Sequence, residues 1–332
     1  MAALSTINPT LLDVTKRLDP DGKIDAIAEI LTQTNEVLED MAWQEGNLPT
    51  GHRTTIRTGL PTPTWRKLYG GVQPTKSTTA QITDSTGMLE AYAEVDKALA
   101  DLNGNSAAFR LSEDRAHIEG MNQEFASTLF YGNEGTEPEA FTGFAPRFNS
   151  TSAANGENIF SAGGSGSDNN SIWLIAWGPN TCHGIYPKGS VGGMYMEDKG
   201  NVTVENIDGS NGRMEAYRTH YRWDCGLTVR DWRYVVRIPN VDLSDLTKNA
   251  ASGADLIDLM TQAIEQLPSL TLGKPVFYVS RKVKSFLRRQ VMNKVASSTL
   301  TMDQVAGKSV TMFDGIPVKR VDTLAANEAA VS

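Results

Sequence analysis

Cysteine and long apolar runs are both scarce in this chain of 332 residues. Its only cysteines are Cys182 and Cys225, so a disulfide framework is not expected and a reducing cytoplasm is the favoured compartment. No apolar run approaches the ~20 residues that a membrane helix requires, and we expect no membrane partner. Residues 1–10 also lack the charged-then-apolar pattern of a signal peptide.

The chain has no excess of basic residues. Its formal net charge is −8, which disfavours a protein that grips nucleic acid through a basic patch. A protein that only encloses nucleic acid is compatible with this charge. The hydrophobic fraction of 40% and the charged fraction of 21% are typical of a globular protein and exclude wholesale disorder.

Histidine is rare as well, with four in the chain, and two of them lie close to the cysteines. Cys182 with His183, and His220 with Cys225, form the best metal candidate in the sequence. Paired zinc ligands are usually two to four residues apart, and adjacent residues of a strand point to opposite faces. We therefore predict two buried structural thiols and no metal site.

Patterns for nucleotide binding and nucleophilic catalysis are incomplete. Gly307-Lys308-Ser309 resembles the end of a phosphate loop, but Met302 stands where the motif requires glycine. Gly164-Ser165-Gly166 lies in a Gly/Ser-rich loop and not in an elbow between a strand and a helix. A Cys182 nucleophile with His220 as its base stays open, but no pattern supports it. We predict a protein that is not an enzyme and has no cofactor.

The most informative segment that is present covers residues 44–88. It is rich in Thr, Gly and Pro, and its large apolar residues are widely spaced, so it has no core of its own. The run Gly59-Leu60-Pro61-Thr62-Pro63 holds the backbone extended, because each proline fixes its own φ and restricts the preceding residue. Loops of this length are functional or disordered. A third interpretation is an arm that becomes ordered against a neighbouring subunit.

Helical patterns occur in two segments near the amino-terminal end and in two later ones. Apolar residues at three- and four-residue spacing predict a helix over Lys23–Trp43. A longer helix is predicted over Leu111–Gly132, with Ser112 as N-cap, Ile118, Met121, Phe125, Leu129 and Phe130 on one face, and Gly132 as a left-handed C′ residue. Residues 254–267 and 281–293 are also predicted helices, whereas 89–102 fits either a strand or a helix.

Strand patterns dominate the rest of the chain. Ser171–Trp177 and Val276–Val279 are predicted strands, and 150–170 a flexible polar loop. Tyr217–Ile238 is predicted to form two antiparallel strands that bend near Asp224-Cys225-Gly226. Residues 310–322 are predicted to form a closing pair of strands around Asp314-Gly315. The mixture of helices and antiparallel strands, without a βαβ repeat, predicts an α+β fold.

Four of these stretches resemble the major capsid proteins of tailed double-stranded DNA bacteriophages with the Hong Kong 97-type fold. The likeness is strongest to the short-tailed phage group that includes the Bordetella tropism-switching phage. The stretches are Ser112–Gly132 with Pro138–Phe144, Ser171–Asn180 with Gly184–Gly189, Tyr217–Ile238, and Gly315–Asp322.

The resemblance implies a capsid fold with an N-terminal arm, an extended loop, a peripheral domain and an axial domain, in a connectivity that is permuted in some members. The implied domains are an arm with an amphipathic helix (1–46), an extended loop (47–88), a peripheral domain with a long spine helix (89–145), an axial-type domain with Trp-rich strands (146–250), and helices and strands that complete the core (251–332).

The implied function is a structural subunit that assembles into pentamers and hexamers of an icosahedral shell around the phage genome. Its implied partners are further copies of itself, a portal, a separate scaffolding protein and a cement protein. DNA would be enclosed without sequence-specific binding, in a capsid assembled in the bacterial cytoplasm. Alternatives are another virion protein, such as a tail or decoration component, and a metal-dependent hydrolase. The candidate intersubunit contacts are Arg53, Arg57, Trp65, Arg66, Leu68 and Tyr69.

Overall fold

The computed structural model describes residues 33–102, 106–205, 212–246, 254–293, 300–305 and 308–332. The helices in these ranges are α1 (Val37–Asp40), α2 (Lys97–Ala100), α3 (Ser106–Tyr131), α4 (Phe144–Arg147), α5 (Leu256–Gln266) and α6 (Arg281–Asn293). The strands are β1 (Trp43–Glu45), β2 (Gly51–Gly59), β3 (Thr78–Asp96), β4 (Asn169–Trp177), β5 (Cys182–Tyr186), β6 (Tyr195–Glu205), β7 (Arg213–Val229), β8 (Val235–Asp242), β9 (Lys274–Val279), β10 (Leu300–Val305), β11 (Lys308–Phe313) and β12 (Ile316–Arg320).

The larger of two compact units comprises residues 35–87, 127–192 and 225–332. Its sheet runs in the order β10-β11-β12-β9-β4-β5, with β8 also paired to β4 and β1 paired to β5. Strand β4 is antiparallel to both β8 and β9, with Trp173 opposite Tyr278. Because neighbours and helices cover it, every residue of β4 is buried.

The two faces of β4 contribute to two hydrophobic layers. Ile172 and Leu174 belong to a core cluster with Leu256 and Met260 of α5 and Val283 of α6. Alternate residues of a strand point to opposite faces, so Trp173 lies on the other side. Its aromatic neighbours there, at ring-centroid distances of about 6 Å, are Phe130, Phe144 and Phe148.

The second compact unit contains the described residues 33–34, 88–102, 106–126, 193–205 and 212–224. Strands β6 and β7 form an antiparallel pair from Tyr195 opposite Arg222 to Glu205 opposite Arg213. One buried cluster joins Ala93, Met121 and Tyr221, and the ring of Phe125 stacks on Trp223 at 4.4 Å. Three elements of this unit (β3, α3 and β7) thus share its core.

The long helix is confirmed, but its predicted ends are wrong in detail. It begins by Ser106 and not at an N-cap formed by Ser112, because Ser106–Arg110 continues the helix and buries Phe109. Gly132 follows the last helical residue, yet its φ is not positive. Glycine is needed there because a Cβ would lie 2.6 Å from the carbonyl oxygens of Thr128 and Phe141. Ile118 is also partly exposed, unlike the other predicted core residues of the helix.

The helix predicted over Lys23–Trp43 is wrong at its carboxyl end, and residues 23–32 lie outside the described ranges. Residues 33–36 are not helical either, helix α1 covers Val37–Asp40, and Trp43 lies in β1. The backbone of Trp43–Glu45 pairs in parallel with Gly184–Tyr186, and this tertiary pairing overrides the helical periodicity.

The pair of strands predicted over Tyr217–Ile238 is also wrong. Asp224-Cys225-Gly226 is strand in β7 and not a turn between two strands, and β8 pairs with β4 instead. Gly226 serves a close approach and not a turn, because a Cβ there would lie 2.7 Å from the carbonyl oxygen of Ser85.

The remaining predicted elements are largely confirmed. They are β4, β9, α5, α6 and the closing strands β11 and β12, joined by Asp314-Gly315 with positive φ at both residues. The segment 89–102 is strand to Asp96 and then the short helix α2. The predicted loop 150–170 is held by Asn158, which is buried and donates to the carbonyl oxygen of Val235. The five consecutive domains stay a prediction, and each compact unit found here collects separate segments of the chain.

Candidate assembly surface

A long β-hairpin occupies the segment that the sequence analysis singled out. Strand β2 pairs with the first part of β3, from Gly51 opposite Ser85 to Gly59 opposite Thr78. Nine residues of strand extend about 30 Å at the usual rise per residue. The segment 60–77, which we call the hairpin tip, joins the two strands without regular structure.

The hairpin tip exposes its large apolar side chains. Trp65 and Tyr69 are fully exposed and Leu68 is 84% exposed. Residues 67–70 form a turn, in which the Gly70 N–H donates to the carbonyl oxygen of Lys67 and Tyr69 has a positive φ of 62°. Several exposed apolar side chains within one short segment make the hairpin tip a candidate interaction surface.

The hairpin also differs in charge from the rest of the chain. Residues 53–83 contain five Lys or Arg residues and no Asp or Glu, in a protein whose net charge is −8. A surface that is both apolar and basic favours a partner surface with apolar pockets and acidic residues.

The structure separates the six candidate contacts into two groups. Trp65, Arg66, Leu68 and Tyr69 all lie in the hairpin tip. Arg53 and Arg57 lie on β2 instead, outside the tip, and Arg53 Nε donates to Thr83 Oγ1 across the hairpin at 3.3 Å. The first group therefore lies in the hairpin tip, and the second lies on the paired strand β2 that leads to it.

Further residues of the tip were missed by the candidate list. Leu60 is 77% exposed and Val72 is 51% exposed, and Lys76 adds to the positive charge. Lys76 could have been found from the sequence, because it lies within the run 53–83 that contains basic but no acidic residues.

The hairpin is anchored at its base by polar contacts within the larger unit. Arg147 of α4 donates to Asp84 Oδ1 at 2.8 Å and to the carbonyl oxygen of Thr142 at 3.1 Å. Asp84 lies opposite His52 in the hairpin register, and both side chains are buried. The contacts therefore fix the strands where the hairpin leaves the sheet.

The cysteine and histidine residues that the sequence offered as metal or catalytic candidates lie in packed surroundings. The thiols of Cys182 and Cys225 are both buried, and burial raises the pKa of the Cys182 thiol well above its ordinary value. His220 stacks on Tyr92 at 4.5 Å and contacts Glu90 Oε2 at 3.2 Å. Within the described ranges no group of three His, Cys, Asp or Glu side chains is placed to hold a metal ion.

None of the helices described here is both long enough and apolar enough to span a bilayer.

Comparison with known proteins connects these features. Residues 19–332 match the family described as major capsid protein GP7. Among solved structures, a chain of bacteriophage Epsilon15 is 40% identical, covers 100% of this chain and 99% of its own length, and has a TM-score of 0.76. A chain of the bacteriophage JBD30 capsid shares the fold at 9% identity, with 96% and 99% of the two chains covered and a TM-score of 0.50. No curated protein matches the chain.

Proposed function

This chain belongs to the major capsid protein GP7 family, and we propose that its hairpin tip is the clamp by which each subunit holds a neighbour in the shell. The chain is a structural, shell-forming subunit of a phage capsid, with the α+β Hong Kong 97-type fold that the sequence predicted. It acts by associating with copies of itself and is located in the virion capsid.

Several finer properties are part of the proposal. We infer that the chain is related to the capsid proteins of short-tailed phages of the Bordetella tropism-switching group. We also infer that it assembles in the host cytoplasm around a separate scaffolding protein. A portal and a cement protein would complete the shell. The net charge of −8 suits a container for double-stranded DNA, because packaged DNA must move without adhering to its wall.

The exposed tip carries the proposal for the clamp. An exposed cluster of Trp65, Leu68 and Tyr69 has no packing partner within its own described chain. Burying each of these side chains on a neighbour would contribute on the order of 2 kcal/mol. The entropy of ordering the tip is then offset only on assembly.

The test removes the apolar anchors and keeps the hairpin. A triple variant with Trp65→Ser, Leu68→Ser and Tyr69→Ser should give a folded subunit that fails to form stable shells. A matched control replaces three exposed apolar residues of the same unit outside the tip, through Val191→Ser, Leu270→Ser and Leu272→Ser. Negative-stain microscopy and sedimentation of both proteins separate shells from free subunits.

A second variant tests the tip as a whole. Replacing residues 60–77 by Asn-Gly closes the hairpin with a two-residue turn and leaves the strands paired. We expect soluble subunits and no stable shells. Normal yields of closed particles from this variant or from the triple variant would refute the clamp. If the control variant loses shells to the same extent, the loss is not specific to the hairpin tip and the clamp is refuted as well.

A further inference from the structure

Five polar side chains meet where the hairpin leaves the sheet, and we call them the root cluster. They come from five separate elements of the larger compact unit. The members are His52 of β2, Asp84 of β3, Arg147 of α4, His183 of β5 and Arg230 just after β7. His52, Asp84 and His183 are buried, and Arg147 and Arg230 are partly buried.

The contact between His52 and Arg230 sets the protonation state of one imidazole. Arg230 Nη2 lies 3.4 Å from His52 Nε2. A guanidinium has only donors, so His52 Nε2 accepts in this contact, and the neutral ring then carries its hydrogen on Nδ1, which is buried without a partner among the described residues. A proton on Nε2 would place an N–H against the guanidinium and break the contact. Asp84, opposite His52, has its Oδ1 bound by Arg147 at 2.8 Å.

His183 is the second imidazole of the root cluster. It is completely buried, and the backbone of Gly178 is the polar group beside it that favours its protonated form. Its ring lies edge-on to that of His52, with centroids 6.0 Å apart. Burial, Arg230 and His52 lower the pKa of His183 to about 4, and burial and Arg230 lower the pKa of His52.

The charges that face the two rings are unbalanced. Arg230 faces both imidazoles, whereas Asp84 is the acidic group that faces His52 and is already paired with Arg147. Thr228, opposite His183 on β7, contributes a buried hydroxyl without a partner among the described residues. Two arginines already lie beside this one carboxylate, so protonation of either ring adds a third positive charge.

We propose that the root cluster is an acid-released latch, which fixes the hairpin to the sheet while His52 and His183 are neutral and frees it when they bind protons. The functional consequence rests on the clamp proposed above, since the root sets the direction in which the tip leaves the subunit. Release of the root would loosen the grip on the neighbour without unfolding the core sheet.

The direction of the pH effect follows from the lowered pKa values. A folded-state pKa below the ordinary 6.5 means that the released state binds protons more readily than the latched state. The latch is at full strength above pH 6.5 and weakens as the pH falls from there towards about 4.

Hydrogen–deuterium exchange tests the latch directly. Backbone amides of residues 51–57 and 79–86 would be followed in assembled particles and in the unassembled full-length chain, corrected for intrinsic exchange, with β4 as internal reference. Between pH 6.5 and 4 we expect protection of the root to fall at least about tenfold relative to β4. Since the unassembled chain is measured too, failure of the clamp leaves this result unaffected.

Variants separate the two imidazoles from other acid effects. His52→Gln keeps an acceptor for Arg230 that does not titrate, and His183→Leu removes the second imidazole. The double variant should retain root protection at the acidic end. His117→Gln, on α3, is the matched control and should behave like the wild-type protein.

The wild-type protein also provides a readout that needs no substitution. Exchange of the imidazole C2 hydrogens, followed by mass spectrometry, reports the titration of each histidine. We expect His183 and His52 to titrate below the ordinary 6.5 of a histidine. The latch is overturned if either titrates at its ordinary pKa, if root protection follows β4 at every pH, or if a folded double variant still loses protection in acid.

Discussion

Strand β4 and the hairpin tip belong to the same compact unit, yet they place their large side chains in opposite environments. All nine residues of β4 are buried, including Trp173 and Trp177. The tip carries Trp65 and Tyr69 with their rings fully exposed. The same residue types therefore stabilise the subunit in one place and remain without packing in the other.

The difference separates the apolar residues of the chain into two groups. The apolar residues of β4 are satisfied within one subunit, by strands and helices on both faces. Those of the tip are spaced by Pro, Gly and Thr, which prevents them from forming a local core. Their stabilisation is expected only at the level of the shell. Substitutions in the two regions should thus affect different measurements.

The largest effect on folding is expected at Trp173. Its ring contacts three phenylalanines and lies 5.0 Å from the guanidinium of Arg237. Trp173→Ala should lower the free energy of unfolding by about 3–5 kcal/mol, because it leaves a cavity between packed layers. Denaturant unfolding of the unassembled chain measures this. A loss below about 1 kcal/mol would mean that β4 is not a rigid core strand.

The carboxyl-terminal segment provides a second test of the core, because an ion pair fixes it to β8 and a hydrogen bond fixes it to β4. Glu328 is buried with Arg237 at 2.7 Å, and it accepts hydrogen bonds from Tyr131 and Ser171. Glu328→Gln leaves a buried guanidinium without its counter-charge and should cost about 3 kcal/mol of unfolding free energy. The exposed pair Arg213–Glu205 is the control, since Glu205→Gln should change stability by less than about 0.5 kcal/mol. Equal effects of the two variants would contradict the assignment.

A smaller effect on folding is expected at Asp40, which links α1 to the core sheet. Lys274 and Lys319 contact its carboxylate at 2.6 and 2.8 Å, and Tyr278 donates to it at 3.0 Å. Burial raises the pKa of Asp40, but the hydrogen bonds from Lys274 and Lys319 hold it below 3.8. Asp40→Asn should cost about 2 kcal/mol at neutral pH.

The pH dependence of the Asp40 variant gives an independent check. A lowered carboxyl pKa contributes stability above the unfolded value, and this contribution is lost as the pH falls through the folded value. The unfolding free energies of the wild-type and Asp40→Asn proteins should therefore converge below about pH 4. A difference that stays constant from neutral pH into acid would show that the carboxylate charge has no part in it.

Core strands were predictable where the local pattern and the tertiary contacts agree. The apolar run in β4 and the Asp314-Gly315 turn indicate their structures without help from distant residues. Gly226 misled the prediction, because its role depends on the approach of Ser85, which lies far away in sequence. Ser112 misled it as well, since a good N-cap residue does not prevent a helix from beginning earlier.

The candidate surface was only partly predictable for a related reason. The spacing and composition of the sequence predict an extended segment with exposed apolar residues, and Trp65, Leu68 and Tyr69 of the tip could be named from that pattern. The root cluster depends on His52, Asp84 and His183, whose separation along the chain hides any local motif. Sheet pairing brings them together, and that pairing was not predicted.

The smallest effect on folding is expected at Trp65, and it completes the comparison with Trp173. Trp65→Ala removes a ring that is fully exposed, so the free energy of unfolding should change by less than about 0.5 kcal/mol. Shell formation should fall sharply, because the largest anchor of the clamp is lost. Unfolding of the unassembled chain and the yield of particles must be measured on the same preparation. If Trp65→Ala instead destabilises the subunit by as much as Trp173→Ala, the tip packs on its own chain and the two regions do not differ as described. If it changes neither measurement, the apolar tip is not the contact that holds a neighbour, and the basic residues of the hairpin become the next candidates.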